Sequence, residues 1–353
     1  MKCFTCTAAI LLMLMFLLPM PVCAVSPDDT LSSLTEGVLP PSDAENPVPD
    51  LPSVWQRFTD TLRSEAETPL RTGGLLFGVI LLAALSGSLR QGEGTGKVYD
   101  SICTLCAVGT IAEPLISAFE RAALTLGRVS DFMLAFTGIY GGVIAAGGNV
   151  TASAVWQGSM AVACDAALEL SSKLLFPILS LCLAMSIVDA VNPDVSLTGL
   201  IDMGKKLTAW ILGLLMAGFL GLLSVQTLVA AAADHAGTKA AKFVISGSVP
   251  IVGGAVSDAY TAVIGSMKVL RASVGVTGIL MILALLLPVI LSLGLYRVMV
   301  LGAGAVSELF GAETLVRLFR NAENVLAAAL SAAVSFAVLF VFSSAVVMLI
   351  GTS

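Results

Sequence analysis

Apolar residues along this chain gather into runs near twenty residues long, divided by short clusters of glycine, proline and charge. The first strong run, 73–89, stops at Arg90 and a turn containing Gly92, Gly94 and Gly96. The next, 101–119, is interrupted by Glu113-Pro114, and 129–148 is rich in glycine with Asp131 near one end. A shorter run, 152–168, suits either a crossing or the membrane interface. Then 174–191 carries Pro177 and ends on Asp189 and Asn192-Pro193. The last three are 207–233, then 274–300 with a kink expected at Pro288, and 325–350. A helix needs about twenty apolar residues to cross hydrocarbon. The pattern therefore predicts an all-α polytopic membrane protein, with six to seven transmembrane helices in a domain covering 72–353.

Ahead of that domain the pattern changes twice. Residues 1–24 read as a secretory signal peptide: Lys2 near the start, an apolar run over 8–18, then Pro19, Pro21 and Val22-Cys23-Ala24 for cleavage. An uncleaved anchor is the competing reading. Cys23 also invites a lipoprotein, but Met20-Pro21-Val22 lacks the small residues that lipid attachment wants. Residues 25–50 are rich in proline, serine and acid, and form an extracytoplasmic linker with little to bury. Ser53 and Gln56 then make a capping box, and Trp55, Phe58, Leu62, Ala66 and Leu70 follow at helical spacing. This amphipathic helix closes the segment 25–71. It lies either at the membrane–water interface, with Trp55 as an anchor, or against the protein's own outer face.

Composition supports the membrane class: 57% of the 353 residues are hydrophobic and 12% charged, where a soluble domain carries about a quarter charged. The net charge of −6 is concentrated. Residues 25–71 hold nine acids against three bases, and the chain from Thr72 onward is close to neutral, so no basic footprint for nucleic acid is present. Basic residues near helix ends favour the cytoplasm. With 25–71 outside, the first span delivers Arg90 and Lys97 inside. If 101–119 crosses, Lys239, Lys242, Lys268 and Arg271 also fall inside and the C-terminus is cytoplasmic, an arrangement of seven spans. If it does not cross, Arg121 and Arg128 are inside and that later cluster is outside. The first arrangement is preferred.

Polar groups within apolar runs are costly and each requires a reading. Glu113-Pro114 is a candidate intramembrane polar break, lining a cavity or marking a loop between half-length helices. Asp189 and Asp194 flank Asn192-Pro193, where a turn explains them more simply than a functional carboxylate. His235, the single histidine, stands at the end of a run, and a proton relay would need further partners. Cys103 and Cys106 match a CxxC spacing without partner ligands, and read as small residues in a buried helix. No Walker A loop, HExxH or Gly-x-Ser-x-Gly occurs, and Gly92–Lys97 has the wrong spacing for a phosphate loop. The reading is of a non-enzymatic protein without a cofactor. Gly138, Gly141 and Gly142, and Gly213, Gly218 and Gly221, predict close helix–helix packing.

The stretch 242–260, KFVISGSVPIVGGAVSDAY, is too polar for a span and too apolar for a solvated loop. It reads as a re-entrant or interfacial pair of short helices on the cytoplasmic side. Pro250, Gly253 and Gly254 form its hinge, with Ser257 and Asp258 as candidate contact residues. Together with Asp234, Lys239, the run 222–226 and Val274-Gly275-Val276-Thr277-Gly278, it resembles the signature of the stage III sporulation protein AE family. The resemblance covers 73 to the C-terminus.

That resemblance implies a component of a channel or secretion-like complex between mother cell and forespore, in the mother-cell membrane around the forespore. Implied partners are the other proteins of the same operon, including an ATPase and ring-forming subunits, and a forespore protein in the intermembrane space. A YidC-type insertase is implied for assembly, which a weak span such as 101–119 would need. The family supplies no catalytic residues. Two other functions stay open: a secondary transporter for a small solute, suggested by Pro- and Gly-broken segments near carboxylates, and a scaffold without its own pore.

Overall fold

The computed structural model describes residues 51–88, 93–146, 150–191, 196–248 and 253–350. The signal peptide, the acidic linker to Asp50, Asp194 and Pro250 lie outside the described residues. Seven α-helices are present among those described: α1 (Leu51–Ser88), α2 (Glu93–Ala146), α3 (Val150–Leu170), α4 (Phe176–Val191), α5 (Thr198–Ser248), α6 (Gly253–Leu309) and α7 (Glu313–Ile350). A π-helical turn, Ser171–Leu175, joins α3 to α4 end to end. Six stretches are long and apolar enough to cross a membrane: Phe58–Leu85, Ser101–Ala146, Val150–Val191, Thr198–Val225, Ala272–Leu309 and Glu313–Val346. The all-α, multi-pass architecture expected from the apolar runs is the one observed.

How the runs join differs from expectation. The runs 101–119 and 129–148 belong to one 54-residue helix, α2, about 80 Å long. The intervening ERAALTLGR has no proline, and its Ala, Leu, Glu and Arg residues favour helix enough to outweigh Gly127. Pro114 sits inside that helix, so Glu113-Pro114 marks no loop between half-length helices. The runs 152–168 and 174–191 likewise stack into one rod through the π turn, where Ser171 and Ser172 both donate to the Leu168 carbonyl. The amphipathic helix and the run 73–89 are also continuous, as α1, with Pro69 buried within it. Its packed positions, Phe58, Leu62, Ala66, Pro69, Thr72, Leu76 and Ile80, form one stripe against the bundle. Of the positions expected on its apolar face, Phe58, Leu62 and Ala66 pack on the bundle, whereas Leu70 is exposed.

Side-chain contacts set the register. Phe136 lies against Gly278 and Arg121 beside Tyr296, so α2 runs antiparallel to α6. Arg297 pairs with Glu323 at 2.8 Å, and Gly304 faces Phe319, fixing the α6–α7 hairpin. Its turn is a Schellman motif: Ala312 N–H donates to the Ser307 carbonyl and Gly311 N–H to that of Glu308. Gly311 has φ +68°, which explains a glycine at that position. Gly141 faces Gln157, and Gly127 faces Leu168, so α3 returns along α2. The ends of α1, α4 and α6 therefore gather at one end of the bundle, and the ends of α2, α5 and α7 at the other. Within the core Phe136 stacks on Tyr140 and Trp156 meets Tyr140 edge-on, and Phe319, Phe336 and Phe340 fill it along α7.

Candidate functional site

The stretch 242–260 divides between two long helices. Lys242–Ser248 closes α5, of 51 residues, while Gly253, Gly254, Ser257 and Asp258 fall on the first turns of α6, of 57 residues. The expected pair of short helices is thus the facing ends of a long helical hairpin. The apolar run of α5 stops at Ala233 and that of α6 begins at Val274, so both helices continue about 20–30 Å past their apolar runs. The extensions carry Asp234, His235, Lys239, Lys242, Asp258, Lys268 and Arg271.

This hairpin end also corrects the preferred topology. Because α2 is a single helix, Gly94 at its start and Ser257 near the start of α6 lie at opposite ends of the bundle. The seven-span arrangement placed them on the same side. The hairpin instead shares its end with the start of α1.

A second feature is a charged waist. Gly73 faces Met299, and α1 runs parallel to α6, so the charged residues from Asp60 to Arg71 pass alongside α6 residues near 286–297. At the same height α2 presents Glu120, Arg121, Arg128 and Asp131, all exposed. On α3 and the π turn stand exposed Asp165, Glu169 and Lys173, with Lys173 Nζ donating to Glu169. Arg121, Glu113 and Glu65 are the charged neighbours of buried Tyr296. Apolar segments lie above and below this belt on α2 and on the α3–α4 rod.

A third feature is a buried carboxylate. Asp189, at the end of α4, is 2% exposed. Its Oδ1 accepts the Leu197 N–H at 2.7 Å, and its Oδ2 accepts Asn321 Nδ2 at 3.3 Å. Leu197 opens α5, its carbonyl accepting from Leu200 and Ile201. One side chain thereby ties α4 to the N-terminus of α5 and to α7. The turn beginning at Asn192 was the feature visible in the sequence. Asn321 stands 132 residues away, so no local pattern announces the junction.

Other sequence candidates scatter. Glu113 is exposed on α2 with Pro114 beside it, and the Ser117 hydroxyl donates to the Pro114 carbonyl. Cys106 is exposed and Cys103 half-buried, so the pair is not enclosed as expected. Cys164 and Cys182 are buried. No group of three or more His, Cys, Asp or Glu side chains able to hold a metal is found among the described residues. Of the six glycines expected to mediate close packing, only Gly141 meets a neighbour, Gln157; Gly138, Gly142, Gly213, Gly218 and Gly221 face open space.

A family model described as stage III sporulation protein AE (spore_III_AE) matches residues 50–351. A curated relative, the stage III sporulation protein AE of Bacillus subtilis (strain 168), is 22% identical over 206 residues, which are 58% of this chain and 51% of the relative. The match thus spans about half the length of that relative. No solved structure matches the chain.

Proposed function

The chain belongs to the stage III sporulation protein AE family, and from that premise we propose that it is a non-enzymatic membrane component of a sporulation-specific channel. In this reading the channel, or secretion-like complex, links mother cell and forespore and is required for forespore development after engulfment. The chain sits in the mother-cell membrane around the forespore. It works with the other stage III operon proteins, among them an ATPase and ring-forming subunits, and with a forespore partner in the intermembrane space. A YidC-type insertase assists its assembly.

The observation that carries this reading is the extent of the family match, which takes in every described helix from Leu51 to Ile350. The α5–α6 hairpin supports it. It shares an end with the start of α1, which a secretory signal places outside the cytoplasm. In this reading the hairpin faces the space between the two membranes, where a partner from the forespore side can reach it. Deleting the gene in its host is expected to arrest development after engulfment, and normal heat-resistant spores would overturn the proposal. Sidedness has its own test: Gly94→Cys and Ser257→Cys are expected to label from opposite faces of the membrane. Labelling from one face removes the support drawn from the hairpin.

A further inference from the structure

The exposed residues of α2 between Ile102 and Gly142 recur every three or four positions and form one straight stripe, about 60 Å long. No other described helix covers it. A Cβ added at Gly109, Gly138 or Gly142 would meet open space, and Leu124, at its centre, is 64% exposed. Among the described residues no ion pair reaches Glu120, Arg128 or Asp131.

This face suits neither lipid nor water along its whole length. It is about twice as long as a hydrocarbon core is thick. Charges facing lipid are costly, and its two apolar ends are equally out of place in water. A protein surface of matching pattern is the remaining cover.

The charge order identifies that surface. Copies in one membrane share an orientation, so a twofold axis along the bundle sets equal heights of two stripes against each other. Leu124 then meets its own copy. One turn to one side, Arg128 lies within reach of the other copy's Asp131, and the reverse contact forms by symmetry. Gly138 and Gly142, four residues apart, let the two backbones approach beyond the charges. We propose that α2 is a self-association face, and that a second copy of this chain docks on the stripe of Glu120, Leu124, Arg128, Asp131, Gly138 and Gly142. The proposal is independent of the channel reading, because it rests on the stripe alone.

The test uses the full chain in its membrane, with Cys3, Cys6, Cys23, Cys103 and Cys106 replaced by serine and buried Cys164 and Cys182 retained. A single Leu124→Cys is oxidised and the product sized on a non-reducing gel. Leu181→Cys, equally exposed but on α4, is the control. A covalent homodimer is expected from Leu124→Cys and not from Leu181→Cys. Adding Arg128→Asp is expected to abolish the dimer, and adding Asp131→Arg as well to restore it, which also shows that the single variant inserts normally. Monomer from Leu124→Cys, a cross-link to an unrelated protein, or a dimer indifferent to the charge changes each overturns the proposal.

Discussion

The α6–α7 hairpin and α2 are built from similar apolar material, yet they handle charge in opposite ways. In the hairpin Arg297 meets Glu323, and Asn321 reaches across to Asp189, so polar groups are paired within the molecule. Between Ala272 and Arg297, α6 has no exposed side chain, because α1, α2 and α7 surround it. Helix α2 packs one face on that core and turns Glu120, Arg128 and Asp131 outward, with no ion pair to any of them among the described residues. The difference is that the hairpin completes its contacts by folding, whereas α2 leaves one face for association.

The strongest way to break this contrast is at Asp189. Removing its buried carboxyl group strands the Leu197 N–H and the Asn321 amide, at about 1–3 kcal/mol for each. Asp189→Ala is therefore expected to lower the unfolding midpoint in detergent markedly, while Asp189→Asn, which keeps an acceptor for Leu197, loses clearly less. Asp131→Ala on the outer stripe should leave the monomer's midpoint unchanged. Equal effects at Asp189 and Asp131 would erase the distinction between inner and outer charge.

Next in size is a pair of glycines. A Cβ at Gly278 runs into the buried Phe136 ring, so Gly278→Ala should destabilise by about 1–3 kcal/mol. Gly142→Ala meets open space, and alanine's better helix propensity should stabilise the isolated monomer by up to about 1 kcal/mol. The same substitution is expected to weaken the self-association of α2, which separates the two roles in one variant.

Smaller effects sharpen the comparison. A double-mutant cycle on Arg297 and Glu323, both mostly buried, should report a coupling of about 1 kcal/mol. Lys173→Ala removes the exposed partner of Glu169 and should leave the melting curve where it was. A coupling at Lys173 as large as that at Arg297 would mean that the waist is covered within the monomer.

The apolar runs were legible because each is long enough to dominate its neighbourhood, and helix is the only open-ended structure that satisfies its backbone in lipid. The same reasoning erred at the joins. Glu113-Pro114 invites a break, but 120–128 holds no second proline and only one glycine, and the packed face of α2 holds the helix through the hydrogen bond that Pro114 forfeits. The runs 152–168 and 174–191 are separated by a charged stretch with Glu169 and Lys173, and the π turn carries the helix through it. The glycines misled in another way: spacing cannot say which face of a helix has a neighbour, and only Gly141 of the six has one.

What the sequence determined by itself was the medium, the helical class and the family resemblance around 242–260. These depend on composition, on runs longer than a bilayer and on local residue order, all of which are written along one dimension. Tertiary structure decided which runs fuse, which end of the bundle carries the hairpin and what Asp189 binds. It also decided which stripe of α2 remains bare. Those depend on register between helices, and register is set by contacts such as Phe136 with Gly278 and Asp189 with Asn321, whose partners lie more than a hundred residues apart.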